Sequence, residues 1–464
     1  MRIGVVGAGI AGLAATKVLR SAGHEVHTFD SSPDVGGVWS ATRRYPGLRT
    51  QNTRHTYVYS DHPSDDGWPD HPTAEQWQSY LSGYVERFDL GDCLRLGSAI
   101  QAAAPSGTGW QLRLGTGEVA GVDHLVVANG VFSIPRIPPW RGVESHRGAG
   151  GVVKAPSQGL TLDDARNRDV VVVGYGKSAC DAAVALAEAA RSVTVIARRL
   201  LWKGSRRSLG RSYEDVVLTR GMEAAFARPR LARPFFDLAR RDAMRSQALR
   251  ELGLVPHGRF EEIATSSISL VTDGFYDAVR AGRITVRRDA AITELTDGPG
   301  AVLSDGSDVP ADLVVPATGF QQEVPFLDAE VQASNGDFEL FRRILPHEAS
   351  HLTFCGYNSS VISALNAEVG AVWTAAHLAG AVSLPSREQR RAEVAADLSE
   401  MSTRTRGNHA RGTSVVPFSL RNIDRMLRDM HAPLPRRTRA GQWTRAARPG
   451  DYRDVLQGLV RDLG

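Results

Sequence analysis

The apolar run Ile3 to Val6 is followed by helical spacing from Ile10 to Ser21, a stop at Gly23, and a second run from His24 to Phe29 closing at Asp30. Uninterrupted short apolar runs suit parallel strands buried on both faces, and strand–helix–strand in this order is one βαβ unit. A second unit begins with an aspartate and four valines at Asp169 to Val173, followed by an Ala-rich helical stretch from Ser178 to Ala190 and a strand from Ser192 to Ile196. His124 to Ala128, Ile284 to Val286, Ala301 to Leu303 and Leu313 to Val315 read as further strands, and Trp110 to Leu114 with Glu118 to Val122 as a hairpin. Thr73 to Phe88 is predicted to be an amphipathic helix presenting Trp77, Tyr80, Leu81, Tyr84 and Val85 on one face. Between these elements, Ser31 to about Pro72 has little periodicity, and so long an irregular stretch usually carries function. Pro135 to Pro139 reads as a linker, Leu200 to Arg259 as an Arg-rich helical insertion, and the chain after Pro385 as helical.

Each βαβ unit carries a glycine loop. The first is Gly7-Ala8-Gly9-Ile10-Ala11-Gly12, between a strand and a helix, with Asp30 at the end of the next strand. That context makes it a dinucleotide fingerprint: Gly7 for the tight turn, Gly9 for close approach of a pyrophosphate, Gly12 for helix–strand packing, and Asp30 for a ribose diol. The helix start supplies free N–H groups and a favourable dipole for the anion. The bland alternative is an ordinary strand-to-helix turn. The second loop is Gly174-Tyr175-Gly176-Lys177-Ser178-Ala179, with alanine at the third position, and its next strand ends in Arg198-Arg199 in place of an acid. Guanidinium groups at that position suit a 2′-phosphate, so NADPH is expected there and FAD at the first loop, unless the two arginines are merely solvated. Lys177 stands equally between a phosphate contact and a solvated surface position. The expected fold is α/β, with two dinucleotide-binding Rossmann-like domains and the NADPH domain inserted into the FAD domain. The expected boundaries are 1–155 and 311–464 for the two parts of the FAD domain, and 156–310 for the NADPH domain.

Composition narrows this only a little. The 464 residues suit two or three domains, and 42% hydrophobic residues allow each a core. No apolar run reaches the roughly 18 residues of a membrane span, so integral membrane association is not expected. Cys93, Cys180 and Cys355 are far apart and form no CxxC pair. They point to a reducing, cytoplasmic setting and against a dithiol reductase or a metal site. The net charge of +4, almost all from arginine, suits an anionic cofactor without implying nucleic acid.

The order of motifs resembles the class B flavoprotein monooxygenases, the flavin-containing monooxygenase family, from Met1 to about Leu384. The residues that carry the resemblance are the N-terminal fingerprint, Gly36-Gly37-Val38-Trp39, Tyr45-Pro46-Gly47-Leu48-Arg49-Thr50-Gln51-Asn52, Asn129-Gly130 with Phe132-Ser133-Ile134-Pro135, Ala317-Thr318-Gly319-Phe320, and Ala367-Glu368 with Trp373. The family's Phe-x-Gly-x-x-x-His sequence is sought at His146 to Val152, where only Gly148 matches. On that reading the resemblance implies looser coupling of NADPH oxidation to oxygenation and weighs against a Baeyer–Villiger enzyme.

The resemblance implies that NADPH reduces FAD, that O2 adds at flavin C4a, and that the hydroperoxide passes one oxygen to a nitrogen or sulfur of a small metabolite. It implies that Asn52 acts at the reactive flavin locus and that Gln51 and Thr53 flank the two cofactors. It also implies that Gly37, Val38 and Trp39 touch FAD, that Ser178, Ala179, Cys180 and Asp181 lie against the NADP pyrophosphate, and that Thr318 and Gly319 return the chain to FAD. Asn52 read alone is a turn residue. Alternatives at this stage are a Baeyer–Villiger ketone oxygenase, an FAD-dependent NADPH reductase or oxidase, and a non-catalytic nucleotide sensor. Trp68, Tyr57 and Tyr59 are read as packing anchors before pocket walls. The oligomeric state is open, a homodimer included.

Overall fold

Two parallel five-stranded sheets form around the apolar runs, and each repeats one local plan. In the first, Arg2–Val6 is central, between Glu25–Phe29 and His124–Val127, with Leu94–Arg95 and Leu352–Phe354 at the edges. In the second, Asp169–Val173 is central, between Ser192–Ala197 and Leu313–Pro316, with Thr285–Arg288 and Val152–Val153 outermost. After Arg2 and Asp169 at their starts, the central strands are buried on both faces, which is why residues 3–6 and 170–172 carry no polar side chain. The computed structural model describes residues 1–208, 211–226, 228–264, 270–328, 339–347, 350–358, 360–405 and 419–464. Parts of the expected Arg-rich insertion (209–210 and 227) and of the expected C-terminal helical stretch (406–418) lie outside the described residues.

The second unit is wider than 156–310. Val152–Val153 pairs with Leu313–Pro316, which pairs with Asp169–Val173, so strands from just outside both expected boundaries complete this sheet. A buried strand's composition does not say which of two similar sheets it joins; its hydrogen-bond partners do. The expected linker at Pro135 is part of a short antiparallel ribbon, Ile134–Pro135 against Phe320–Gln321, where the chain passes between the two units.

The helix Ala74–Arg87 begins where Thr73 and Gln76 form a capping box, worth about 1 kcal/mol. It buries Trp77, Tyr80, Leu81 and Tyr84, as its spacing predicts. Ser363–Leu378 is buried from Ala364 through Ala376 and packs in the same core as the first helix, Ile10–Ser21. A helix mostly apolar on every face is one enclosed on all sides, and this one, with Asn366, Glu368 and Thr374 buried among its apolar residues, packs against the helix that follows the first glycine loop. The insertion folds as helices Tyr213–Val217, Arg220–Phe226 and Pro229–Ser246. Ile100–Ser106 joins the expected hairpin as a third strand that sequence pattern had not marked. Among the described residues no helix is long and apolar enough to cross a membrane, and no cluster of His, Cys, Asp or Glu is arranged to hold a metal.

Candidate active site

The two glycine loops are the same piece of geometry. Gly7 N donates to Phe29 O at 2.7 Å and Gly174 N to Ile196 O at 2.9 Å. Both have φ in the glycine-favoured region, +116° and +130°. A Cβ at Gly7 would overlap the carbonyl of Ala128, and one at Gly174 that of Ala317. At the third position the loops differ. A Cβ at Gly12 would overlap the Gly7 carbonyl, whereas Ala179 is accommodated, 3.6 Å from where a Gly174 Cβ would stand. Each loop leads into a helix, Ile10–Ser21 or Lys177–Leu186, whose N-cap glycine contributes no side chain to the first N–H groups. Those donors therefore remain for an anion.

The residues at the ends of the neighbouring strands set the two sites apart. Asp30 accepts from Ala8 N at 2.6 Å and from Ser32 N at 2.8 Å, so the carboxylate is held against the first loop. Gly37, with φ of +60°, brings its backbone beside Gly9; a Cβ on Gly9 would stand 3.4 Å from the Gly37 Cα. Val38 is half-buried, and Trp39 is buried edge-on to Tyr57 and Trp77, with centroids 6.0 and 6.2 Å away. Ile10 and Ala11 carry the first helical N–H groups beside this cradle. In the second unit Arg198 and Arg199 are both exposed and make no hydrogen bond or ion pair among the described residues. Gly176 faces open space, with nothing within 4 Å of a built Cβ. The residues therefore fit two dinucleotides, one met by a carboxylate and one by free guanidinium groups. Replacing Arg198 or Arg199 with alanine is expected to raise KM for NADPH about tenfold while leaving KM for NADH unchanged, read by steady-state flavin reduction.

Asn52 lies between the two units. Tyr45 Oη bonds Ser178 Oγ at 3.2 Å, and Gly47, with φ of +80°, passes so close that its Cβ would stand 3.2 Å from the Asp181 carbonyl. The same segment then continues to Asn52, whose Nδ2 donates to the carbonyl of Val361, just before the helix Ser363–Leu378. Thr53 N donates to Glu214 Oε1 at 3.1 Å. Gln51 keeps a buried Oε1 without a partner among the described residues. His71 is pushed down to about 4 by burial and by the Arg206 guanidinium, and is neutral at physiological pH. Three distant parts of the chain thus converge on Asn52: the irregular segment, the insertion and the C-terminal helix.

Several of the expected contact residues have partners within the protein. Asp181 is buried, with Thr272 Oγ1 donating to Oδ1 at 2.5 Å and Lys177 paired to Oδ2. It anchors the second helix and pairs with Lys177, so both side chains have partners within the protein. The reason is that Asp181 falls one turn into the helix, on its inward face. Thr318 donates its hydroxyl to the Arg136 carbonyl, and Gly319 accepts from Arg136 N at 2.9 Å with φ of +95°; together they pin the crossing ribbon. Trp373 is buried and bonds Asp429 at 3.1 Å, and Glu368 faces Ser60. Tyr59 is an anchor, its hydroxyl donating to Ile10 O at 2.5 Å.

The apparently lost histidine sequence is present six residues upstream of the place where its glycine was sought. Trp140-Arg141-Gly142-Val143-Glu144-Ser145-His146 keeps the spacing with tryptophan for phenylalanine. Gly142 has φ of +75° and no room for a Cβ against the Leu295 carbonyl. His146 is buried, with Nδ1 3.2 Å from Gly298 O. The expected looser coupling loses its basis, as does the argument it gave against ketone oxygenation. Glu214 and Arg206 were not singled out, because an acid and an arginine in an Arg-rich insertion carry no pattern. Ser212-Tyr213-Glu214-Asp215 did carry a helix-start signal, and Ser212 Oγ accepts from Asp215 N at 3.3 Å.

Comparison with known proteins agrees with this fold. The family model described as flavin-binding monooxygenase-like matches residues 1–416. "Dimethylaniline monooxygenase [N-oxide-forming] 4" of Rattus norvegicus is 26% identical over 417 residues, covering 85% of this chain and 72% of its own. "Probable flavin-containing monooxygenase 1" of Arabidopsis thaliana is 24% identical over 496 residues, covering 92% and 91%. Among solved structures, S-allyl-L-cysteine S-oxygenase from Allium sativum superposes with TM-score 0.64 at 18% identity, over 99% of this chain and 98% of that one. OTEMO in complex with FAD and NADP superposes with TM-score 0.71 at 16% identity, over 92% and 98%.

Proposed function

Because this chain belongs to the flavin-binding monooxygenase-like family, we propose that it is an NADPH-dependent, FAD-containing monooxygenase that transfers one oxygen of O2 to a nitrogen or sulfur of a small metabolite. The observation that carries this reading is the pair of matched glycine loops, one completed by Asp30 and the other by Arg198 and Arg199, with the Asn52 segment spanning the two. When bound, the nicotinamide supplies hydride and the reduced flavin activates oxygen. The protein's part is to bind, orient and keep dry. Gly7, Gly9, Ile10, Ala11 and Gly12 present N–H groups to the FAD pyrophosphate, Asp30 receives its ribose, and Gly37, Val38 and Trp39 close over it. Gly174, Gly176, Ser178 and Ala179 do the same for NADPH, and Arg198 and Arg199 grip its 2′-phosphate. Asn52, fixed by Val361 and flanked by Gln51 and Thr53, presents a polar amide where the two cofactors meet. Soft nucleophiles are favoured by the names of the relatives, N-oxide-forming and S-oxygenase.

The test uses the purified FAD-loaded enzyme with NADPH and 18O2, offered tertiary amines, amino-acid thioethers and cyclic ketones in turn. Mass spectrometry is expected to find one 18O in the amine or thioether product. Label only in a ring-expanded ester would favour the second reading, ketone oxygenation, which the intact Gly142–His146 spacing keeps in view. NADPH oxidation yielding only hydrogen peroxide with every substrate would sink both.

A further inference from the structure

Glu214 is fully buried, yet only one of its two carboxylate oxygens is used. Oε1 accepts from Thr53 N at 3.1 Å; Oε2 is enclosed and has no hydrogen-bond partner among the described residues. A buried unsatisfied oxygen is costly, and cores seldom keep one without a reason. The residue stands on the short helix Tyr213–Val217, which Ser212 starts and which Arg448 ties to the C-terminal segment through Asp215. Burial pushes the carboxyl's pKa up, and the hydrogen bonds it accepts from its own amide and from Thr53 draw it back down. The peptide it holds is the one joining Asn52 to Thr53. On the other side of that peptide, Asn52 Nδ2 reaches the Val361 carbonyl. The turn is therefore clamped from two directions, by the insertion on one side and by the approach to the C-terminal helix on the other. Thr53 Oγ1 and Thr56 Oγ1 stand 3.4 Å apart and close the turn locally, without contacting Asn52.

We infer that Glu214 is a positioning residue of the oxygenation site, holding the Thr53 amide and thereby fixing where the Asn52 side chain points. The inference rests on the reading of Asn52 as the residue placed between the cofactors. It gives the insertion a role in the site, since a segment remote in sequence supplies the back wall of the turn. Any acceptor at Oε1 will serve, so the charge is dispensable and the carbonyl oxygen is not. A group misplaced by about 1 Å can lose up to about 100-fold in rate, so the clamp need move Asn52 only a little to matter.

The experiment is a double-mutant cycle on the FAD-loaded enzyme. Flavin reduction by saturating NADPH is followed by stopped-flow absorbance, and the delay before oxidised flavin returns after mixing with O2 is timed. Glu214→Gln keeps an acceptor and is expected to stay within about twofold of wild type. Glu214→Leu removes it and is expected to lose about tenfold in reduction rate or in the delay, with KM for NADPH little changed. In an Asn52→Ala background, Glu214→Leu is expected to cost almost nothing further, because its effect passes through Asn52. Equal losses in both backgrounds would make Glu214 merely structural and overturn the inference, as would a Gln variant as poor as the Leu variant. If Asn52→Ala is damaging and Glu214→Leu silent, only the role of Glu214 falls. If Asn52→Ala is itself silent, the site reading falls and this inference with it. A Leu variant that does not fold leaves the decision to Glu214→Gln and to Thr53→Pro, which removes the same hydrogen bond from the donor side and is expected to match the Leu loss.

Discussion

A Gly9→Ala protein is expected to fold as wild type does and to purify without the yellow of bound flavin. A methyl at Gly9 would stand 3.4 Å from the Gly37 Cα, an ordinary contact, so the protein itself tolerates it. What it occupies is the gap between Gly9 and Gly37 where the proposed pyrophosphate would approach backbone N–H groups. Gly12→Ala is different: its methyl would collide with the Gly7 carbonyl, which belongs to the turn itself. That variant is expected to lose both flavin and thermal stability, overpacking of this kind costing about 1–3 kcal/mol. The two are separated by measuring flavin absorbance per protein together with the melting temperature of flavin-stripped material. Gly9→Ala should lose more than about 90% of its flavin at a concentration where wild type keeps more than about 90%, a change of roughly 100-fold in Kd, or about 2.8 kcal/mol. A Gly9→Ala protein that retains its flavin would show that the cofactor does not enter over this loop. A matching pair of melting losses would show that both glycines serve only the turn.

Both glycines were legible in the sequence because strand, loop and helix are contiguous, and so is the acid or arginine that ends the next strand. The same holds for the four valines at 170–173 and for the buried face of Ala74–Arg87. Legibility failed where partners are remote. Nothing local says that Leu313–Pro316 joins the second sheet rather than the first, and the boundary at 311 was misplaced accordingly. Nor does anything near Asp181 announce that Thr272, 91 residues on, will take its second oxygen. The family resemblance puts Asp181 beside the pyrophosphate; helix phase gives its side chain a partner in Thr272. Glu214 is the extreme case: its meaning lies wholly in the amide of Thr53, 161 residues earlier. Local chemistry is readable from spacing; convergence of segments is not, and at Asn52 convergence is what the site consists of.

Glu368 carries the other large expected effect. It lies inside the helix Ser363–Leu378, buried, with Ser60 N donating to Oε2 and Ser60 Oγ donating to Oε1, each at 2.8 Å. Burial raises its pKa from 4.5 to about 7; the nearby Asp61 adds to the rise, while the Ser60 hydrogen bonds and Lys17, itself paired to Asp61 at 2.8 Å, oppose it. Between about 4.5 and about 7 the folded protein holds a proton that the unfolded chain has released. Stability from this group is therefore complete below 4.5 and is lost as pH rises through 7, a difference on the order of 3 kcal/mol. Glu368→Gln should abolish that loss without leaving an orphan, since its carbonyl can accept from Ser60 N while its amide donates to the Ser60 hydroxyl, which serves equally well as acceptor. Melting the FAD-loaded proteins at pH 5 and pH 8 is expected to show nearly equal stability at the lower pH and a clear advantage for Gln at the higher. Parallel behaviour at both values would mean that Glu368 is already ionised at pH 5, with Ser60 and Lys17 outweighing its burial. The sign also bears on function, because this helix packs against Ile10–Ser21, where Cys355 Sγ reaches the Ala11 carbonyl at 3.4 Å and Gly356 leaves just enough room for the Ala11 methyl. The carboxyl faces Ser60, next to Tyr59, whose hydroxyl donates to the Ile10 carbonyl in the first turn of the helix proposed to receive the FAD pyrophosphate, so the Gln variant should also retain its flavin better at pH 8 than wild type does.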